Sequence, residues 1–160
     1  MEEQGYLSDE EFGSSLLISI EADKRELASN VRAAKAIIRS FPDTYIVINK
    51  HTYILGHKNP EYTIDGKLGD RKGIMSEKGI TAGFKSAKKQ GCKIVVIDLD
   101  EHVSLLRPFE LSKYISRRKA DFDNGDIDCC YVVFCGKAVM VNASFQTRRM
   151  IEAELNTIKP

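Results

Sequence analysis

The dipeptide Asp65-Gly66 dictates the geometry of the chain on either side of it. An Asp-Gly pair accepts positive φ at both central positions of a type I′ turn, so it joins two antiparallel strands through a two-residue loop. Counting outward, Ile64 faces Lys67, Thr63 faces Leu68, Tyr62 faces Gly69, Glu61 faces Asp70, Pro60 faces Arg71 and Asn59 faces Lys72. Side chains alternate with period 2, so Asn59, Glu61, Asp70 and Lys72 share one face. Directly opposed carboxylates have Cβ atoms about 4.5–5.5 Å apart and destabilise the pairing. A divalent cation between Glu61 and Asp70, with Lys72 alongside, removes that cost. The same four residues suit metal-assisted hydrolysis of a phosphodiester.

The flanking segments predict a sheet for this hairpin to join. Leu27, Val31, Ala34, Ile38 and Phe41 make one apolar stripe of a helix over about Ile20–Phe41, which Pro42 stops. Thr44–Asn49 is β-rich, and Tyr53–Leu55 adds a short apolar piece. A second helix runs from Glu77 to about Gln90, with Ser76 as cap and Gly91 just beyond its end. Cys92–Leu99 is continuously apolar from Ile94 to Ile97, which predicts a central strand covered on both faces and ending in the acids Asp98, Asp100 and Glu101. A third helix is expected over about Phe109–Phe122, then a hairpin of Asp128–Phe134 and Ala138–Asn142 about Gly136-Lys137, then a helix over about Ser144–Ile158. The fold class is α/β (α+β): a mixed β-sheet with an αβββαβ core, helices packed on it, and a C-terminal β-hairpin and helix.

Residues 1–16 carry five acids and no Lys or Arg, and are expected to form an acidic flexible tail before a single domain over 17–160. Ser8 and Glu11 have capping-box spacing, which allows a short helix there. The 24 basic residues all lie beyond residue 16 against 18 acids, so that part carries +6, a charge that permits nucleic-acid binding without demanding it. No apolar run reaches the roughly 18–20 residues of a membrane span, so no membrane partner is expected. Cys92, Cys129, Cys130 and Cys135 form no CxxC pair, and His51, His57 and His102 lack zinc-finger spacing. The cysteines read as reduced thiols of a cytoplasmic chain, with Cys129 and Cys130 pointing to opposite faces of their strand.

Pro60-Glu61, eight residues, then Asp70-Arg71-Lys72 has the form of a PD-(D/E)xK signature. The wider string NPEYTIDGKLGDRKG follows a helix containing ELASN and precedes SAKKQG and KIVVIDLD. Over about Ile20–Asp100 it resembles PD-(D/E)xK-like nucleases, in particular CdiA-type C-terminal toxin tRNase domains and nuclease-like domains attached to phage head-morphogenesis proteins. Phe109–Val141 fits more loosely. The resemblance implies Glu61 and Asp70 as ligands of one Mg²⁺ or Mn²⁺ and Lys72 as the group that stabilises developing charge or orients water. It also implies Glu26 as a further catalytic acid from the first helix and Gln90 as the polar residue of the following helix. It implies RNA, such as tRNA, or DNA as substrate, and an immunity protein or a larger parent polypeptide as partner. The chain departs from the pattern in having Glu where the first acid is usually Asp, and in the short gap to Asp70. Asp65, the other acid, sits in the turn.

Asn59 is a candidate to hold a water or a phosphate oxygen, and Lys85, Lys88, Lys89, Arg117 and Arg118 are candidates for backbone contacts with a nucleic acid. A solvated face is the plainer reading of these cations, and a solvated hairpin the plainer reading of the acids. The chain has no Trp, and the sequence shows no aromatic stacking platform. Two alternatives stand beside the metal nuclease. One is a metal-independent RNase like the barnase–EndoU–colicin–RelE group, with His51 or His57 in acid–base roles. The other is a non-catalytic binding or structural domain of a phage protein.

Overall fold

The computed structural model describes residues 5–56, 58–102 and 105–159. Eight strands form one mixed sheet in sequential order: β1 (Tyr6–Asp9), β2 (Gly13–Ser19), β3 (Ile46–Ile48), β4 (Tyr62–Ile64), β5 (Lys67–Gly73), β6 (Ile94–Asp98), β7 (Cys129–Phe134) and β8 (Lys137–Asn142). The pairs β2/β3, β5/β6 and β6/β7 are parallel and the other neighbours antiparallel. The helices are α1 (Leu27–Ser40), α2 (Glu77–Lys89), α3 (Pro108–Ser116), α4 (Lys119–Asp123) and α5 (Arg148–Leu155). The run α1-β3-β4-β5-α2-β6 is the expected αβββαβ core, and β7, β8 and α5 are the expected C-terminal hairpin and helix.

The sheet separates two apolar cores. On one side α1 buries Ala33, Ala34, Ile37 and Ile38 against Leu16, Ile46, Ile48, Tyr62, Ile64, Ile94 and Val96. On the other, α2, α3 and α5 bury Ile80, Phe84, Leu111, Ile115, Ile151 and Leu155 against Val95, Ile97, Cys130, Val132, Val139 and Val141. Strand β6 contributes to both, with every residue buried, as its continuous apolar run requires. Cys130 joins the second core and Cys129 packs against the first. The α2 side is covered over β5–β8, where α2 meets β5 and β6, and α5 meets β8.

Four expectations are corrected. The acidic lead-in is not a tail from Tyr6 onward. It forms the hairpin β1–β2, whose parallel pairing to β3 through Leu16–Ile18 makes it part of the sheet. No helix forms at Ser8–Phe12, because the Asp9 carboxylate accepts the Glu11 and Phe12 amides and folds the segment into a turn. Helix α1 begins at Leu27 rather than near Ile20. Strand β2 takes the chain to Ser19, the Ser19 hydroxyl accepts the Glu21 amide, and Asp23 accepts the Arg25 amide, so side chains satisfy groups a helix would have used. The short apolar piece Tyr53–Leu55, for which no element was expected, is an exposed loop segment. The helix expected over Phe109–Phe122 is two helices, α3 and α4, broken at Arg117-Arg118. Among the described residues no helix is long and apolar enough to cross a membrane.

Candidate active site

The turn that organises the site is the expected one: Asp65 and Gly66 have φ of 48° and 83°. Its register pairs Ile64 with Lys67, Thr63 with Leu68 and Tyr62 with Gly69. The Asp65 carboxylate also accepts the Tyr45 amide at 2.8 Å, which ties the turn to the start of β3. Strand pairing in the hairpin ends at Tyr62–Gly69, and beyond it the Glu61 carboxylate accepts the Arg71 amide at 3.1 Å. This holds Glu61 against β5 beside Asp70.

The Glu61 and Asp70 carboxyls lie within hydrogen-bonding reach of one another. Burial, reinforced by the hydrogen bond and charge of Asp70, pushes the Glu61 carboxyl up to about 9. At neutral pH Glu61 therefore keeps its proton beside Asp70. Gln90, at the end of α2, donates to Asp70 at 3.3 Å and to the Ser86 hydroxyl at 3.2 Å. Gly91, at φ of 74°, turns the chain into β6 directly after it. The Cys92 thiol is pushed up to about 12, first by burial and then by the charges of Asp70 and Glu61, so it stays protonated. Lys72 is exposed and makes no hydrogen bond or ion pair among the described residues. Its stem crosses α2 where Gly83 leaves room, and a Cβ on Gly83 would meet Lys72 Cγ at 3.1 Å.

The residue between Asp70 and Lys72 faces the other side of the sheet. Arg71 is 5% exposed. Its Nε donates to Asn30 Oδ1 at 2.7 Å, its Nη1 to Asp98 at 3.1 Å and also to Glu101, and its Nη2 to Glu26 at 2.5 Å. Arg32 grips Asp98 through two hydrogen bonds, at 3.1 and 2.7 Å. The Tyr62 hydroxyl donates to the Asn30 carbonyl at 2.7 Å. This network joins α1, β4, β5 and the end of β6. Its members could have been found in the sequence: if Asp70 and Lys72 share a face, Arg71 takes the other, and Asp98 has the parity of Ile94 and Val96.

Glu26, expected beside the catalytic acids, is placed on the α1 side and engaged by Arg71. It is not brought to Asp70 or Lys72. It shares with Glu61 a depression at the end of β3 and β4, lined also by Asp23, Asn30, Lys50 and His51. Asn59 lines this depression, but its amide clamps the loop by accepting the Thr52 amide at 2.8 Å and donating to the Thr52 carbonyl at 2.9 Å. His51 Nδ1 lies 3.9 Å from Asp23. His57 lies outside the described residues.

The expected nucleic-acid cations are dispersed. Lys85 and Lys89 are exposed on α2. Lys88 pairs with Asp121 at 2.9 Å and Arg117 with Glu77, so both charges are internally matched. Arg118 stands at the α3–α4 break with its Nε buried and without a hydrogen-bond partner.

Two carboxylates suit a Mg²⁺-type ion, which binds through one or two carboxylates and otherwise keeps water and substrate phosphate oxygens. Among the described residues no group of three or more His, Cys, Asp or Glu is gathered for a metal. Glu61 and Asp70 together make a set of two carboxyls.

No family model matches the chain, and no curated protein matches it. One solved structure with a similar arrangement is described as a CdiA-CT/CdiI toxin and immunity complex from Burkholderia pseudomallei. It has 17% identity and a TM-score of 0.48 over 76% of this chain and 89% of that one.

Proposed function

We propose that the chain is a metal-dependent nuclease that cleaves phosphodiester bonds, with Glu61 and Asp70 holding one Mg²⁺ or Mn²⁺. The observation that carries this reading is the carboxyl pair itself: the Arg71 amide holds Glu61 and Gln90 holds Asp70 side by side, while the guanidinium next in sequence points to the far side of the sheet. Such an ion, when bound, lowers the pKa of a coordinated water and polarises a phosphoryl oxygen. Asp70 is held by Gln90, and Glu61 by the Arg71 amide, so the ligands are oriented in advance. Lys72 places its ammonium on the same face, where it offsets charge developing on the phosphate. RNA such as tRNA as the substrate, a toxin role and an immunity protein as partner rest on the sequence resemblance.

The test is titration with Mn²⁺ by calorimetry, together with digestion of total tRNA and plasmid DNA in Mg²⁺ or EDTA. Wild type is expected to bind Mn²⁺ and to release a proton from Glu61, so the heat depends on the buffer. Asp70→Ala should bind no Mn²⁺, and EDTA should stop cleavage. Equal binding by both proteins sinks the metal assignment.

A second reading has one observation in its favour. His51 and the protonated Glu61 line the same depression, an arrangement suited to acid–base cleavage without metal. Cleavage that survives EDTA and is lost in His51→Ala selects it.

A further inference from the structure

The side of the sheet that carries Glu61, Asp70 and Lys72 continues past them across β4, β3, β2 and β1, and the helices of that side pack on β5–β8. Strand parity defines what this stretch presents. Leu17 pairs with Val47, Val47 with Thr63, and Thr63 with Leu68, so these four form one row across the strands. The neighbouring row runs from Tyr6 opposite Ser19 through Asn49 and Glu61 to Asp70, with the Asn49 amide bonded to the Glu61 carbonyl at 2.9 Å. Rows on one face are two residues apart, about 6.6 Å. Tyr45 lies a further repeat along β3, 43% exposed. The two phenols, Tyr6 and Tyr45, line a single open groove with Leu17, Val47, Asn49 and Thr63. Asn49 also lines the depression that contains Glu61.

The sequence kept these groups 39 positions apart, and the sheet brings them to one surface. We propose that this open face is the substrate platform of the nuclease, and that it takes the unpaired bases of a single-stranded nucleic acid stacked on Tyr6 and Tyr45. This rests on the reading of Glu61 and Asp70 as the cleavage site. Three features choose this occupant. Rings on an open sheet face offer flat, sequence-tolerant contacts to bases, and an extended strand presents them unpaired. Asn49 and Thr63 supply amide and hydroxyl groups between the rings, already bonded to each other at 3.0 Å and so fixed in place. The groove leads through Asn49 to the carboxyl pair, and Tyr6 stands three strand spacings, about 14 Å, from Glu61 along one row. A strand lying on the rings is thus directed toward the acids, with the Lys72 ammonium beyond them for its phosphates.

The test separates binding from cleavage. Fluorescein-labelled oligouridylate and oligothymidylate are titrated with the full chain in EDTA at low salt, and anisotropy and tyrosine emission are read together. The absence of Trp leaves the tyrosines as the intrinsic reporter. Single strands are expected to bind and to quench tyrosine emission, with the tighter of the two identifying the sugar. Tyr6→Ala and Tyr45→Ala should each weaken binding by about 5- to 150-fold. Tyr45→Phe, which keeps the ring, should retain most of the affinity and so separates stacking from a folding defect. Binding indifferent to both tyrosines, no binding of either strand, or a duplex bound as tightly as its single strands overturns the platform. If Asp70→Asn abolishes cleavage while the tyrosine variants bind normally, the nuclease reading stands and the platform falls. If single strands bind through the tyrosines and no nucleic acid is cut, the platform stands without the nuclease.

Discussion

The two faces of β5 carry the same kinds of side chain and treat them in opposite ways. On the α1 side, Arg71 is buried and every hydrogen bond of its guanidinium ends on a side-chain oxygen: Asn30, Asp98, Glu101 or Glu26. On the α2 side, Asp70 meets Glu61, another acid, and Lys72 stays in solvent without an ion pair among the described residues. Charges that meet their opposites hold a fold together. An acid set against another acid costs free energy, and here Glu61 answers by keeping its proton. Under the proposed function the contrast separates a structural Arg71 from a chemical Asp70, although the two are consecutive in the chain.

That assignment breaks most readily in a pair of variants. Asp70→Asn, which removes one of the two proposed metal ligands, is expected to abolish cleavage. It should unfold at or above the wild-type temperature, because it removes one of two crowded acids. Arg71→Ala should instead cost about 3–5 kcal/mol of stability in urea titration, since it strips Glu26 of its cation and leaves Asp98 and Glu101 to Arg32. If Asp70→Asn proves the less stable of the two, the division between the faces is wrong.

Acidity sharpens the comparison further. Glu61 titrates near 9 when folded and near 4.5 as a free side chain, so the folded state holds a proton that the unfolded state has lost. Its contribution is greatest below pH 4.5 and declines as pH rises through that window toward 9. Glu61→Gln, which cannot ionise, should therefore gain stability relative to wild type between pH 5 and about 9, read from melting temperatures in metal-free buffer. A constant difference across that range would show that the Glu61 carboxyl is not held protonated. The smallest effect is expected at Glu26. Its side chain is 46% exposed, so Glu26→Gln should cost about 0.2–1 kcal/mol and leave the metal affinity of the Asp70 site unchanged. A loss of Mn²⁺ binding in that variant would return Glu26 to the catalytic set.

Local chemistry made the hairpin legible in advance. Asp65-Gly66 has few conformational options, and period-2 counting from it placed Glu61 beside Asp70. The apolar run at Ile94–Ile97 likewise announced a strand between two cores. What stayed hidden depends on partners distant in sequence. The first strands looked like an acidic lead-in because β1 and the turn after it are short and polar; β1 becomes a strand by pairing with β2, which pairs in turn with β3, itself reached across α1. Glu26 was placed by a motif, whereas its actual place is decided by a buried guanidinium 45 residues on. Lys88 and Arg117 looked free on their helices, and the acids that match them, Asp121 and Glu77, lie on other helices. Tyr6 and Tyr45 form no pattern in a linear text, since their proximity belongs to the order of strands in the sheet.

Gly83 gives the site a cost that can be read from the helix alone. A glycine within a helix gives up roughly 0.5–1 kcal/mol relative to alanine. Here the missing methyl group is where the Lys72 stem passes. An alanine would favour the helix and displace the lysine, so the stability of α2 and the present path of the Lys72 stem pull on one carbon atom in opposite directions. Retaining the glycine leaves α2 weaker than its length and composition would allow, and the position of one solvent-exposed charge is what that weakness secures.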